Sequence, residues 1–101
     1  MLNNSFYLSH PMEPIIRKPS QHEKEEAASW PIWEKEISEF PWEYDTKETF
    51  LVIEGDVTVI NEVGKTFHFQ AGDYVIFPKG MKCTWMIHRD IKKHILRNRK
   101  H

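Results

Sequence analysis

Glu48-Thr49-Phe50-Leu51-Val52-Ile53-Glu54-Gly55 is the stretch that decides the fold. It is a near-continuous run of aromatic, β-branched and aliphatic residues closed by a glycine, so it reads as a buried strand ending in a turn. Just downstream, Val57 and Val59 alternate with Asp56 and Thr58, the period of two that one buried strand face produces. A turn signal follows at Asn61 to Gly64, and Phe67 and Phe69 then alternate with Thr66, His68 and Gln70. Ala71-Gly72-Asp73 marks another turn. Tyr74 to Phe77 is apolar again and is broken by Pro78-Lys79-Gly80. Cys83, Trp85 and Ile87 alternate with Lys82, Thr84 and Met86, and Ile91 to Leu96 closes the series. Upstream, Trp33, Lys35 and Ile37 alternate with Glu34, Glu36 and Ser38, with Lys35 blurring the apolar face. Seven to nine short strands at regular spacing predict an all-β sandwich or barrel.

One helix is expected. Ser20 to Ala28 has Ser20 as N-cap and Glu23 three residues on, the spacing of a capping box. Before it, Ile15-Ile16-Arg17-Lys18 lies between prolines and suits an edge strand. The sequence divides into a polar, aperiodic arm (1–13), a barrel domain (14–96) and a short basic tail (97–101).

The 101 residues suffice for one domain. Lys and Arg total 14 against 15 Asp and Glu, a formal net charge of -1, which gives no electrostatic case for nucleic acid or an anionic membrane. Cys83 is the lone cysteine, so no intrachain disulfide framework exists and a reducing, cytoplasmic setting is expected. No apolar run approaches the ~20 residues that span a bilayer, and Met1 to His10 lacks the pattern of a secretory signal.

Two segments sharpen the fold. Glu48, six residues, then Gly55 is one; Gly72, five residues, Pro78, Lys79, Gly80, two residues, then Cys83 is the other. Both resemble the signature motifs of the cupin superfamily, which implies a double-stranded β-helix, or jelly-roll, barrel with one short N-terminal helix. Trp30-Pro31-Ile32-Trp33, Ser38-Glu39-Phe40, Trp42-Glu43-Tyr44-Asp45, Val52-Ile53-Glu54-Gly55 and Phe77-Pro78-Lys79-Gly80-Met81 resemble a subgroup of small single-domain cupins. That subgroup is related to (S)-ureidoglycine aminohydrolase and to the ethanolamine-utilisation cupin. In metal-dependent members, two histidines precede the motif glutamate and a third follows the proline–glycine step. Those positions hold Trp42, Tyr44 and Cys83 here, and only Glu48 matches the ligand set. The resemblance therefore implies a barrel and a pocket without a cofactor. If a divalent metal binds at all, its ligands are expected to be Glu48, Cys83 and Tyr44.

Shared parity of Trp42, Tyr44 and Glu48, and of Cys83 and Trp85, places these side chains on one side of their strands, which the motif alignment makes the inside. The expected pocket takes Trp33, Trp42, Phe50, Phe69, Cys83 and Trp85 as lining. Glu48 and Tyr44 are the candidate catalytic pair, with Glu48 as general acid or base and Tyr44 as hydrogen-bond donor. Each has a plainer reading. Glu48 equally suits a buried carboxylate that fixes the barrel. Cys83 suits a small core residue better than a nucleophile, and the tryptophans suit core better than a ligand cage. His68 is expected to face outward, and His94 to be structural or at an interface. The expected partner is a small molecule in the barrel: either a bound polar metabolite, or a nitrogen-bearing or carbonyl substrate as the resemblance implies. A homodimer formed through the edge near Ile15 to Lys18 is the third expectation.

Overall fold

A computed structural model describes residues 11–97. Most of the expected arm (1–10) and most of the expected tail (98–101) lie outside the described residues. The elements in chain order are β1 (Ile15–Arg17), α1 (Gln21–Ala27), β2 (Ile32–Lys35), β3 (Ser38–Glu43), β4 (Glu48–Asn61), β5 (Thr66–Gln70), β6 (Tyr74–Phe77) and β7 (Lys82–Arg97). All strand pairings are antiparallel. This is the all-β cupin jelly roll.

The helix forms as its cap predicts. The Ser20 side chain accepts from the Glu23 amide, and the Glu23 carboxylate accepts from the Ser20 amide. Arg17 at the end of β1 grips the same carboxylate with both terminal nitrogens, each at 2.8 Å, which ties the helix to the edge strand.

Two of the strands are long rather than short. Val52 and Val57 belong to one 14-residue strand, and Cys83 and Ile95 to one 16-residue strand. Gly55 does not end its strand. It sits at φ +129°, where side chains are disfavoured, and the β4–β7 ladder shifts register between Val52 and Val57. A Cβ at Gly55 would stand 2.9 Å from the Ile91 Cα, so the two strands cross at a distance only glycine permits.

That bulge divides the barrel into two curved sheets sharing β4 and β7. On one side of it the order is β1-β6-β4-β7-β2, with β4 contributing Glu48 to Leu51 against β6 and β7 contributing Ile91 to His94 against β2. On the other side, β5 pairs with β4 from Asp56 to Ile60, and β3 pairs with β7 from Lys82 to Ile87. Inward positions on β4 are even-numbered before the bulge (Glu48, Phe50, Val52) and odd-numbered after it (Val57, Val59, Asn61), whereas β7 keeps one parity throughout. The core is built on aromatic rings: Phe50, Phe69 and Phe77 are fully buried, and Trp85 lies within 6.2 Å of each, centroid to centroid. At the arm's end, the Met12 carbonyl accepts from Asn61 and Glu13 pairs with Lys65, so these two residues are attached to the barrel rather than loose. Arg97, expected in the tail, is instead the last residue of β7. Among the described residues no helix is long and apolar enough to cross a membrane.

Candidate functional site

A cavity of about 310 Å³ is bordered by β2, β3, β4 and β7, so both sheets line it. Each strand delivers side chains to it. β2 contributes Trp33 and Lys35, and β3 contributes Phe40, Pro41 and Trp42. Tyr44 follows from the β3–β4 connection and Glu48 from the first residue of β4. β7 supplies Trp85, Lys93, Ile95 and Arg97.

Tyr44 is locked in place. Its amide donates to the Met81 carbonyl, its own carbonyl accepts from the Gly80 amide, and its ring stacks on Phe77 with centroids 4.5 Å apart. The Trp85 indole N–H donates to the Tyr44 hydroxyl at 3.2 Å. Burial first, then the nearby Glu48 charge, hold the Tyr44 phenol well above its ordinary pKa, so it stays protonated and can donate its own hydrogen. Glu48 is 6% exposed and accepts from the Arg97 Nε at 3.2 Å. These two residues sit opposite each other in the β4–β7 register.

Lys93 is the residue that pattern reading misses. It is 2% exposed and its Nζ lies 3.7 Å from the Phe50 ring centroid, 4.5 Å from Trp33 and 4.6 Å from Trp85. Among the described residues Nζ has no hydrogen-bond or salt-bridge partner. Removal from water lowers its pKa from 10.5 to about 7, with Glu48 opposing the fall and Arg97 adding to it. The signal was available: Ile91, Lys93 and Ile95 share a parity, so a lysine stands on an otherwise apolar face. The run Lys92-Lys93-His94 conceals it by looking uniformly basic.

Of the residues singled out from sequence, Trp33, Trp42, Tyr44, Glu48 and Trp85 line the cavity. Phe50, Phe69 and Cys83 are buried but outside its lining. Trp42 is not core: it is 42% exposed at the mouth, because β3 pairs only with β7 among the described strands and has no outer neighbour to cover it. Burial pushes the Cys83 thiol up to about 11. His68 faces outward beside Asp56, and His94 Nδ1 donates to the Trp30 carbonyl at 3.0 Å, a tie between strand and loop.

A resident metal does not fit this donor set. The carboxylate of Glu48 is held by a guanidinium, Tyr44 is a neutral phenol, Cys83 is a neutral thiol away from the cavity, and Trp42 offers no lone pair. Among the described residues no three His, Cys, Asp or Glu side chains converge. A lysine and an arginine stand where a cation would have to be accommodated.

Comparison with known proteins agrees with the fold. A DUF861 family protein from Thermotoga maritima is 44% identical, with a TM-score of 0.81, over 85% of this chain and 100% of that one. A putative ethanolamine utilization protein Q from Salmonella typhimurium is 26% identical over 65% of this chain and 53% of that one, with a TM-score of 0.59. The Clostridium difficile EutQ protein shares the fold at 21% identity, covering 65% of this chain and 52% of that one, with a TM-score of 0.60. No curated protein matches. The family model described as the EutQ-like cupin domain matches residues 22–95, and the chain belongs to that family.

Proposed function

We propose that the barrel cavity binds a small anionic metabolite. The observation that carries this reading is the charge of the lining: Lys35, Lys93 and Arg97 are basic, and Glu48 is the single carboxylate. Glu48 already engages Arg97 through Nε, which leaves the terminal guanidinium nitrogens to take up a carboxylate. Aromatic walls from Trp33, Phe40, Trp42 and Trp85 add apolar contact. The volume of about 310 Å³ limits the ligand to a small molecule. A small carbonyl- or nitrogen-bearing compound is also what the likeness to (S)-ureidoglycine aminohydrolase suggests.

A catalytic reading has its own support. Glu48 and the protonated Tyr44 border one cavity, a proton acceptor beside a proton donor. On this reading Glu48→Gln retains ligand but loses turnover.

The test is thermal shift with oxalate, glyoxylate and pyruvate against their neutral amides. The acids should raise the melting temperature and the amides should not. Arg97→Gln should weaken acid binding roughly tenfold, as expected for losing one charge-assisted contact. Equal stabilisation by the amides would overturn the anion reading.

A further inference from the structure

We propose that Lys93 is a carbonyl-reactive amine that joins small aldehyde or keto acids to the barrel as an imine. This deepens the anion-binding reading and rests on it.

A lysine normally extends its amine to water. Lys93 instead stops inside the barrel, 2% exposed, with Nζ among the rings of Phe50, Trp33 and Trp85 and bordering the cavity. Among the described residues nothing accepts its hydrogens. An amine with no acceptor among the described residues, bordering a cavity, is poised toward whatever enters that cavity. The charged groups around it are Glu48 on β4, Arg97 on β7, Lys35 on β2 and the Tyr44 phenol on the β3–β4 connection. Desolvation and Arg97 bring the amine to about 7, so a large share is neutral and nucleophilic near neutral pH. A ligand carboxylate on the free guanidinium nitrogens of Arg97 would hold an adjacent carbonyl in the same small space.

The step balances without an external reagent. The neutral Nζ adds to the carbonyl carbon, forming the C–N bond, and one N–H proton passes to the carbonyl oxygen to give a carbinolamine. The C–O bond then breaks. The second N–H proton leaves with the oxygen, so the products are a neutral imine and one water. Glu48, the carboxylate bordering the same cavity, can carry these protons between nitrogen and oxygen.

The probe is glyoxylate with cyanoborohydride on the unaltered chain, followed by peptide mapping. Reduction should fix a secondary amine on Lys93 in preference to the exposed lysines. Labelling should rise about tenfold from pH 6 to pH 8, following the neutral amine. Propionaldehyde, which lacks the carboxylate, should label Lys93 far less. Lys93→Met should lose the adduct. Because the mapping uses the unaltered chain, it is decisive even where that variant fails to fold. Glyoxylate that stabilises the protein but leaves Lys93 unmodified would overturn the imine and spare the anion site. Labelling spread over exposed lysines, with Lys93 no richer than the rest, would overturn it equally. No stabilisation and no adduct would overturn both readings.

Discussion

At one end of the β4–β7 ladder the inward positions include Glu48, Lys93 and Arg97; at the other they include Val57, Val59, Cys83, Trp85 and Ile87, of which Trp85 alone reaches the cavity. The strands, the ladder and the alternation are the same, and the two ends differ only in which side chains occupy the inward positions. One end satisfies the hydrophobic effect and closes into ring-to-ring packing. The other retains a carboxylate, a guanidinium and an amine around an open volume, which costs desolvation and contributes little to stability. The division teaches where this fold stores its stability and where it tolerates chemistry.

That division can be broken most forcefully at the packed end. Phe69 is fully buried, 5.4 Å from Trp85 and 5.5 Å from Phe50, centroid to centroid. Phe69→Ala should lower the unfolding free energy by about 4 kcal/mol in denaturant titration. A loss below about 1 kcal/mol would mean that the packed half is not the stability store.

The cavity end predicts the opposite sign. The native Lys93 amine releases its proton near 7, while in the unfolded chain it does so near 10.5. Below about 7 the proton is bound in both states and the cost of burying the charge is fully present. Between 7 and 10.5 the unfolded chain holds a proton that the native chain lacks, so stability rises with pH. Comparing the native chain with Lys93→Met at pH 7 and pH 9.5 should show this rise, on the order of 3 kcal/mol, only where the lysine is present. Parallel pH profiles in the two proteins would show that Lys93 carries no such penalty.

The junction between the halves gives the smallest effect. Gly55→Ala places a methyl 2.9 Å from the Ile91 Cα at a positive φ, and should cost about 2 kcal/mol. A neutral substitution would show that the two sheets slide past each other more freely than this contact allows.

Much of this was legible beforehand. Alternation in Phe67 and Phe69, the glycine and proline stops and the Ser20–Glu23 cap are local signals, and local signals determine strand faces and helix ends. Glu48, Tyr44, Trp42 and Trp85 were legible as cavity residues because parity and motif spacing coincide. Other features were not. Gly55 reads as a strand end because a bulge and a turn use the same residue; only the partner strand distinguishes them. The exposure of Trp42 was not legible, because nothing local reveals that its strand lacks an outer neighbour. Lys93 was hidden by composition: lysine is almost always at the surface, and its two basic neighbours in sequence reinforce that prior.

The bulge at Gly55 behaves as a phase change in a period-two code. Before it even-numbered residues of β4 face inward, and after it odd-numbered ones do. Deleting a single residue between Val52 and Val57 would therefore merge the two phases into one uninterrupted alternation, with Val57 and Val59 still inward but the bulge that bends the strand removed. For redesign the same property is an insulator. The residues upstream can be rewritten for a new ligand while the phase of the packed half stays anchored at the glycine, so the barrel offers two nearly independent texts on one strand.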